Sequence, residues 1–385
     1  MIKYINELKP EELAGKKVLM RVDFDVPVND EGKIVDTFRI VSHRLTLSYL
    51  LAGGAKVILV SHLGSLDGFV NLTEEIGSLL GQVLTLVPLS ELDSIDALFR
   101  VGPVLLLDNV RQDPREVENN PAFAKELAEG FDFYVNDAFA AAHRAHASLA
   151  AIAQHLPSYG GLLLKEELER LGEILTTPPE GKVVVLGGAK ISTKLPVIEN
   201  LLNKTEKIII GGALANNFFK AQGFKIGASV VDDSAVLSFL SPPEIKGEEQ
   251  TKIVLPQDII ISTKPGGKIE SSGLKDIGFS QLIVDIGPAS AEAFAEMIKN
   301  AKMVIWNGPM GQFEVENFDK GTEAVAKAVA EAKKSIIGGG DTLAAIKKFG
   351  LEGKFDYVST GGGAMLEFLS GNRLAALEAL GYYKN

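Results

Sequence analysis

From residue 180 to the end of the chain, short runs of apolar and β-branched residues alternate with helical patterns, and glycine follows each run within a few residues. Runs that are apolar at every position are typical of strands buried on both faces of a parallel sheet. The alternation of strand and helix predicts the doubly wound α/β class. The strands predicted in this half are Val183–Leu186, Ile208–Ile210, Leu282–Val284, Met303–Trp306, Ser335–Ile337 and Tyr357–Val358.

The first 180 residues show the same rhythm. Asn120, Pro121 and Gly130 supply the N-cap, first-turn proline and stop signal of one helix. The amphipathic segment Leu162–Leu175 predicts a single helix that connects two α/β domains. The strands predicted here are Val18–Val22, Lys56–Val60, Val104–Leu107 and Phe133–Val135.

Composition narrows the class of protein. A chain of 385 residues with 46% hydrophobic and 23% charged residues is typical of a globular protein with two domains, possibly three. The absence of cysteine excludes disulfides, thiolate nucleophiles and zinc–thiolate sites, and the net charge of −11 argues against a broad nucleic-acid surface. The N-terminus lacks a signal-peptide pattern and no apolar run could span a membrane, so we expect a soluble, cytoplasmic protein.

Arginine and histidine are concentrated early in the chain. All five histidines and eight of the nine arginines precede residue 171. The planar guanidinium of an arginine can bind a carboxylate or a phosphate through two hydrogen bonds. The alternative, that these arginines are ordinary surface residues, stays open on composition alone.

Glycines at the ends of several strands of one sheet could bind polyphosphate through backbone amides. Neither the P-loop pattern nor a dinucleotide fingerprint is present, so the site must combine several turns. The segment Gly338–Thr342 is the best single candidate, because Asp341 could hold Mg²⁺ and Thr342 could donate to phosphate. Alternatively, it is a plain turn with Asp341 as an N-cap.

Two lysines form a second candidate site. Lys190 and Lys194 are four residues apart after Gly187 and Gly188, which predicts that they share one helix face near a helix N-terminus. An anion there would relieve their mutual repulsion. A solvated lysine pair is the alternative.

These residues lie in segments that resemble the phosphoglycerate kinase family over essentially the whole chain. Eight segments occur in the order of that family, which is far more specific than any one motif. The segments are Arg21–Pro27, Ser61–Gly64, Val135–Phe139, His143–His146, Leu186–Lys190, Trp306–Pro309, Gly338–Thr342 and Ser359–Ala364.

The resemblance implies two Rossmann-like three-layer α/β/α domains with parallel sheets, joined by an interdomain helix and a hinge. Residues 1–160 with about 367–385 would bind 3-phosphoglycerate or 1,3-bisphosphoglycerate, 161–175 would form the connecting helix, and 176–366 would bind Mg-ADP or Mg-ATP. It also implies direct in-line phosphoryl transfer on hinge closure, with Mg²⁺ as cofactor, in a monomer without nucleic-acid or membrane partners.

The family pattern also implies a role for individual residues. Those that would hold phosphoglycerate are Asp23, Asp25, Arg39, His62, Arg111 and Arg144. Those that would act on the migrating phosphoryl group are Arg39, Lys190, Lys194, Gly340 and Gly363. Those that would bind the nucleotide are Lys194, Gly211, Gly212, Asn307, Pro309, Glu314, Gly338, Gly339, Gly340, Asp341 and Thr342, with Gly361–Gly363 supplying amides and Asp341 holding the metal.

Two positions depart from the family pattern on the phosphoglycerate side. Asp25 stands where asparagine is usual, and Ser65 stands where arginine is usual. Each change makes the site less positive by one charge, so we expect an active enzyme with a raised KM for 3-phosphoglycerate, unless Arg115 or Arg100 compensates. His143 and His146 could form a metal pair, although structural hydrogen bonding is the favoured interpretation.

Three other functions compete with this interpretation. The chain could bind the same ligands without useful turnover, or act on a different acyl phosphate because of Asp25 and Ser65. It could also be a nicotinamide-dependent oxidoreductase, but that class needs a dinucleotide fingerprint with a downstream acid, which is missing from the sequence.

Overall fold

The computed structural model describes residues 2–64, 66–100, 102–232, 252–264, 266–274 and 277–384, with the backbone alone for 93–96. The chain divides into two compact units, which we call unit 1 (Met1–Glu169 with Arg373–Asn385) and unit 2 (Arg170–Asn372). Ser65, one of the two departures from the family pattern, lies outside the described residues.

Unit 1 is built on a six-stranded sheet in which every neighbouring pair is parallel. The spatial order is β3-β4-β2-β1-β5-β6. Successive residues of one strand pack into different cores: Val18 and Met20 face one, and Leu19 faces the other. This burial of both faces explains why the strands are apolar at every position. The strands are β1 (Lys17–Arg21), β2 (Lys56–Val60), β3 (Thr85–Val87), β4 (Val104–Leu107), β5 (Phe133–Asn136) and β6 (Ser158–Gly160).

One helix of unit 1 begins where local signals in the sequence place its start. Asn120 caps α6, its side chain accepting hydrogen bonds from the amides of Ala122 (2.9 Å) and Phe123 (3.2 Å), and Pro121 is the first helical residue. The helices are α1 (Pro10–Leu13), α2 (Phe38–Val41), α3 (Arg44–Ala52), α4 (Thr73–Leu80), α5 (Ile95–Leu98), α6 (Pro121–Ala128) and α7 (Leu162–Thr176), with 3-10 turns at Ile5–Glu7, Leu89–Ser94, Val110–Gln112, Phe139–Ala141 and Ala151–Gln154.

The predicted connecting helix is observed as α7, and the boundary between the two units falls within it, after Glu169. Among the described helices, none has both the length and the apolar character needed to cross a membrane.

Unit 2 contains a second six-stranded parallel sheet, in the order β15-β14-β13-β7-β8-β9. Its strands are β7 (Lys182–Leu186), β8 (Lys207–Ile210), β9 (Ile253–Val254), β13 (Met303–Asn307), β14 (Ser335–Gly338) and β15 (Tyr357–Ser359). The prediction of an α/β protein with two parallel-sheet domains is confirmed.

One predicted parallel strand belongs elsewhere. The run beginning at Leu282 forms β12 (Leu282–Ile286), which pairs antiparallel with β10 (Asp258–Ser262) in a separate sheet of order β11-β10-β12, where β11 is Ile269–Gly273. Its assignment to the parallel sheet was wrong because an apolar run indicates burial and leaves the direction of the partner strand undetermined.

The helices of unit 2 follow its strands. They are α8 (Ile191–Leu201), α9 (Gly212–Ala221), α10 (Pro288–Asn300), α11 (Lys320–Ala330), α12 (Gly340–Lys348) and α13 (Gly362–Leu369). The chain then re-enters unit 1 as α14 (Ala375–Ala379), where the amide of Ala376 donates to the carbonyl of Ala142 at 3.0 Å.

Candidate active site

The carboxyl ends of three adjacent strands gather charged residues in unit 1. Asp23 follows β1, His62 follows β2 and Arg111 follows β4, and these strands are neighbours in the sheet. Because parallel strands all end at the same edge, side chains from distant parts of the sequence converge there.

The imidazole of His62 lies at the centre of this group and is 2% exposed. Its Nδ1 is 3.1 Å from Nη2 of Arg21, and its Nε2 is 2.7 Å from Nη1 of Arg144 and 3.3 Å from Oδ2 of Asp25. Burial lowers the pKa of His62, against the opposing effect of Asp25, so the ring is neutral at pH 7.

Asp25 brings a fixed negative charge into this cluster. Its Oδ1 accepts a hydrogen bond from the amide of Gly64 at 2.8 Å. The hydrogen bond with His62 and the Gly64 amide outweigh the effect of burial and hold the pKa of Asp25 well below its usual range. Arg115 does not compensate, because its guanidinium binds Asp113 at 2.7 Å and Glu126 at 2.9 Å.

Arg39 reaches the same edge from α2. Its Nη1 donates to the main-chain carbonyl of Asp25 and lies 3.7 Å from Oδ2 of Asp23. Asp23 is nearly buried, whereas the side chain of Arg39 keeps 31% of its surface exposed. The guanidinium is therefore anchored on one side and open to a ligand on the other.

Arg111 shows the clearest sign of an anion site. Its Nε is buried and has no hydrogen-bond partner among the described residues. Burial, followed by the nearby charge of Arg144, lowers the pKa of Arg111. A buried donor without a partner beside a second guanidinium is costly, and an anion would satisfy both groups.

Sequence reasoning missed the buried partners of this cluster. Arg21, Glu116 and Ser148 are each 0% exposed, and none was proposed as a site residue. The available signal was the position of Arg21, a charged residue at the end of an otherwise apolar strand.

The two histidines of the predicted pair differ in burial. His143 is exposed, whereas His146 is half-buried with an unpartnered Nδ1 3.9 Å from Oε1 of Glu116. Burial and the charges of Arg111 and Arg144 lower the pKa of His146 to about 4. No group of three or more histidine, aspartate or glutamate side chains in the described residues is placed to hold a metal ion.

In unit 2, glycine turns after β7, β8 and β13 pack backbone against backbone. The amide of Gly188 donates to the carbonyl of Pro309 at 2.8 Å, and that of Gly212 donates to Met310 at 2.9 Å. A Cβ on Gly187 would lie 2.0 Å from the Pro309 carbonyl oxygen, and one on Gly212, where φ is +62°, would lie 2.6 Å from the Gly188 amide nitrogen. Only glycine permits this approach.

Lys194 is buried in α8, 6% exposed, with Nζ donating to the carbonyl of Gly187. Burial lowers its pKa to about 8, although Asp341 opposes that shift. Lys190 is exposed and extended at the N-cap of α8. The expectation that the two lysines share a helix face was therefore wrong, since only Lys194 lies within the helix, and the alternative of a solvated lysine pair fails for Lys194.

The turn after β14 is tied to the turn after β13. Nδ2 of Asn307 donates to the carbonyl of Gly338 at 2.8 Å, and the amide of Gly308 donates to Oγ1 of Thr342 at 2.7 Å. Gly339, with φ of +102°, is the N-cap of α12, so the alternative in which Asp341 caps the helix is wrong. Thr342 is completely buried, so its side chain fixes the two turns together.

The start of α13 lies against this turn. A Cβ on Gly362 would be 2.7 Å from the Cα of Gly339. The first turns of α12 and α13 are therefore adjacent, and Gly340 and Gly363 belong to those first turns. Adjacent helix N-termini present unpaired amides and positive dipole ends, which favour phosphate.

A cavity of about 220 Å³ opens beside these turns. It brings together residues predicted from distant segments, because its lining includes Gly188, Gly212, Pro309, Glu314 and Asp341. Gly211 is not among the residues that line the cavity, and a Cβ there would be 2.4 Å from the sulfur of Met310. Apolar side chains with a few placed polar groups are typical of a small-molecule site.

Comparison with known proteins identifies the family. A family model described as phosphoglycerate kinase matches residues 7–372. The phosphoglycerate kinase of Moorella thermoacetica is 44% identical over 97% of this chain and 98% of its own length, and that of Pseudothermotoga lettingae is 43% identical with the same coverage. The chain belongs to the phosphoglycerate kinase family.

Solved structures of phosphoglycerate kinases share the fold over their full length. The structure from Coxiella burnetii is 35% identical with a TM-score of 0.85, and that from Pyrococcus horikoshii is 32% identical with a TM-score of 0.86. Each comparison covers 100% of both chains. The alternative of a nicotinamide-dependent oxidoreductase is therefore wrong.

In this member of the family, a buried carboxylate fixes the segment that carries Glu314. Asp285, at the end of β12, accepts hydrogen bonds from the amides of Gly321 (2.6 Å) and Ile286 (2.9 Å). A Cβ on Gly311 would lie 2.3 Å from its Oδ1. Burial raises the pKa of Asp285 to about 7, with a further contribution from Asp319.

The raised pKa of Asp285 predicts a pH-dependent stability. The folded state binds the proton more tightly than the unfolded state, so stability is full below the ordinary carboxyl pKa near 3.8 and is lost as pH rises through about 7. We expect Asp285→Asn to gain stability relative to the native chain between about pH 5 and pH 8. Urea unfolding followed through Trp306, the single tryptophan, measures this in unit 2.

Glu323→Gln is a control of opposite sign. Hydrogen bonds from Lys327 and Lys320 lower the pKa of Glu323, so this variant should lose stability relative to the native chain as pH rises towards the ordinary carboxyl pKa near 4.5, and the loss should stay constant from about pH 5 to pH 8. A difference between Asp285→Asn and the native chain that does not change with pH would contradict the prediction.

Proposed function

We propose that unit 1 binds 3-phosphoglycerate or 1,3-bisphosphoglycerate and that unit 2 binds ADP or ATP. The chain is an enzyme of the phosphoglycerate kinase family, a phosphotransferase with a carboxyl group as acceptor. It moves a phosphoryl group reversibly between 1,3-bisphosphoglycerate and ADP, giving 3-phosphoglycerate and ATP, in glycolysis. The observation that carries the proposal is the unpartnered Nε of Arg111 beside Arg144, in contrast to the amide-rich turns of unit 2.

On the phosphoglycerate side, the open face of Arg39 and the unpaired donor of Arg111 supply cationic forks for carboxylate and phosphate. Arg144 and His62 add two further donors at the same edge. Asp23 anchors Arg39, and Asp25 limits the net positive charge of the cluster.

On the nucleotide side, the closely packed backbone of Gly212 and Pro309 forms one wall of the cavity, with Gly211 next to it in the chain, and this wall suits the face of a purine. Glu314 is exposed in the same cavity, where its carboxylate could accept from ribose hydroxyls. The amides of the first turns of α12 and α13 suit the phosphates, with Asn307 holding the first of these turns in place.

Transfer of the phosphoryl group needs charge stabilisation on three equatorial oxygens and little covalent chemistry from the protein. Arg39, Lys190 and Lys194 would supply cations, and the amides at Gly340 and Gly363 would supply neutral donors. Each donor could contribute about 3 kcal/mol in a site from which water is excluded. We therefore infer direct in-line transfer on hinge closure of the two domains.

Burial gives Lys194 a particular part in this chemistry. Its pKa is lowered to about 8, so it is mostly protonated at neutral pH while having little solvent around its charge. A phosphate would replace the missing solvation, and the ammonium would hold the migrating group more strongly than an exposed lysine would.

Magnesium fits the residues that unit 2 presents. Mg²⁺ is commonly bound by one or two carboxylates together with substrate phosphates, and Asp341 offers one exposed carboxylate in the first turn of α12, at the lining of the cavity. When bound there, the ion would neutralise phosphate charge. Asp341 is then the residue that would hold it.

The surroundings of the enzyme are part of the same proposal. The net charge of −11 favours small-molecule substrates without nucleic-acid partners. We infer a cytoplasmic monomer, in agreement with the family resemblance.

The reaction is tested by a coupled enzyme assay that measures ATP consumption in the presence of 3-phosphoglycerate. We expect turnover that depends on both substrates and on Mg²⁺, and thermal stabilisation by Mg-ADP without stabilisation by NAD. Absence of turnover, with Mg-ADP still binding, would favour a protein that binds its ligands without catalysis. Turnover with another acyl phosphate alone would favour a different acyl-phosphate kinase.

The glycine wall predicts a selective loss of nucleotide binding. Gly212→Ala places a Cβ against the Gly188 amide and the Pro309 carbonyl, so we expect at least about tenfold weaker Mg-ADP binding and unchanged 3-phosphoglycerate binding. Gly223→Ala is the matched control, because Gly223 also has a positive φ (+84°) but open space around it. It should cost about 1–2 kcal/mol of stability and keep nucleotide affinity.

Calorimetric titration of each ligand separately measures these affinities. Equal loss of nucleotide affinity in the two variants would show that backbone strain, rather than contact at the wall, is responsible.

The charge of Asp25 predicts a substrate effect in unit 1. Asp25→Asn removes a carboxylate from the cation cluster, so we expect the KM for 3-phosphoglycerate to fall about tenfold, equivalent to about 1.4 kcal/mol. Adding Ser65→Arg should lower it further. Asp132→Asn is the control, since Asp132 pairs with Lys16 at 2.9 Å at the opposite edge of the sheet. An unchanged KM in the Asp25→Asn/Ser65→Arg double variant contradicts the account.

A further inference from the structure

A buried carboxylate, Glu116, and a buried guanidinium, Arg21, are joined in unit 1 through one serine. Nε of Arg21 donates to Oγ of Ser148 at 2.9 Å. Oγ of Ser148 lies 2.6 Å from Oε1 of Glu116, and the Ser148 amide donates to Oε2 of Glu116 at 2.8 Å. A guanidinium can only donate, so the serine oxygen accepts from Arg21 and its proton is directed to Glu116.

The other end of Arg21 contacts His62, at the centre of the charged group at the carboxyl edge of the sheet. Its Nη2 is 3.1 Å from Nδ1 of His62, and its Nη1 donates to the carbonyl of Val22. Since Arg21 has no lone pair to offer, Nδ1 of His62 must be the acceptor. A neutral imidazole then carries its proton on Nε2, and Oδ2 of Asp25 lies 3.3 Å from that nitrogen to accept it.

A second arginine competes for the same ring. Nη1 of Arg144 is 2.7 Å from Nε2 of His62, and this contact would require a lone pair on Nε2. A neutral imidazole has only one acceptor nitrogen, so the ring cannot accept from both arginines. Arg21 is fully buried and held by Ser148 and Val22, whereas Arg144 is only half-buried. Arg144 is therefore the donor that we expect to move away from Nε2 of His62.

We propose that Glu116 is a positioning residue of the phosphoglycerate site, which acts through Ser148 and Arg21 to hold His62 as the tautomer with its proton on Nε2. Arg144 then leaves Nε2 when an anionic substrate arrives, and the N–H of His62 stays directed into the site. This inference rests on the proposed function, which places His62 in contact with 3-phosphoglycerate.

A purely structural role for Glu116 would be to neutralise the buried charge of Arg21. The two roles differ at His62, whose ring nitrogens report their protonation separately in ¹⁵N NMR of histidine-labelled protein. The signals of His62 are identified by their loss in His62→Asn. In the native enzyme without substrate, we expect Nε2 to be protonated and Nδ1 to be unprotonated.

Glu116→Gln removes the negative charge of Glu116. Ser148→Ala removes the hydroxyl that connects Glu116 to Arg21 and keeps both charges. If one of these variants fails to fold, the other remains informative. In each we expect a mixture of His62 tautomers and a rise of about three- to tenfold in the KM for 3-phosphoglycerate, with kcat and the KM for ATP unchanged. Glu118→Gln, an exposed carboxylate two residues further on, should leave all these quantities unchanged.

Protonation of Nδ1 in the native enzyme overturns the proposal, as does a raised KM with an unaltered tautomer, which would indicate a structural role. An altered tautomer with an unchanged KM for 3-phosphoglycerate would instead show that His62 is outside the substrate site. In that case the assignment of His62 under the proposed function fails, while the hydrogen-bond relay itself stands.

Discussion

The common carboxyl edge of parallel strands is the constraint on which both half-sites depend. In unit 1, adjacent strands deliver Asp23, His62 and Arg111 to one edge, and in unit 2 adjacent strands deliver glycine turns to another. Burial of both sheet faces forces the strand interiors to be apolar, so polar chemistry is confined to the residues that follow each strand. The two edges then differ in kind, one cationic through side chains and one electropositive through amides.

Charge at the carboxyl edge of the unit 1 sheet is local and only partly compensated. The chain as a whole carries −11, yet Arg21 and Arg144 contact one neutral imidazole, that of His62, and the charge of Arg111 also acts on it. Buried cations need partners, and Arg21 has Glu116 through a serine, whereas the Nε of Arg111 has none among the described residues. That unmet donor is what distinguishes a binding edge from a structural ion network.

Sequence patterns predicted the elements well because strands buried on both faces have an unmistakable composition. They failed where the pattern contains no information about partners: β12 has the composition of a parallel strand but pairs antiparallel. Helical spacing likewise placed Lys190 beside Lys194, whereas the helix starts only after Lys190. The relay from Glu116 to His62 joins residues far apart in sequence, and no local spacing indicates such a network.

The central claim is that each substrate has its own sheet edge, and hydrogen exchange of backbone amides with one substrate at a time tests it most directly. With 3-phosphoglycerate alone, the account predicts added protection after β1, β2 and β4. With Mg-ADP alone, it predicts added protection in the glycine turns after β7, β8, β13 and β14, and none around His62. Protection of the segments after β1 and β2 by Mg-ADP alone would contradict it.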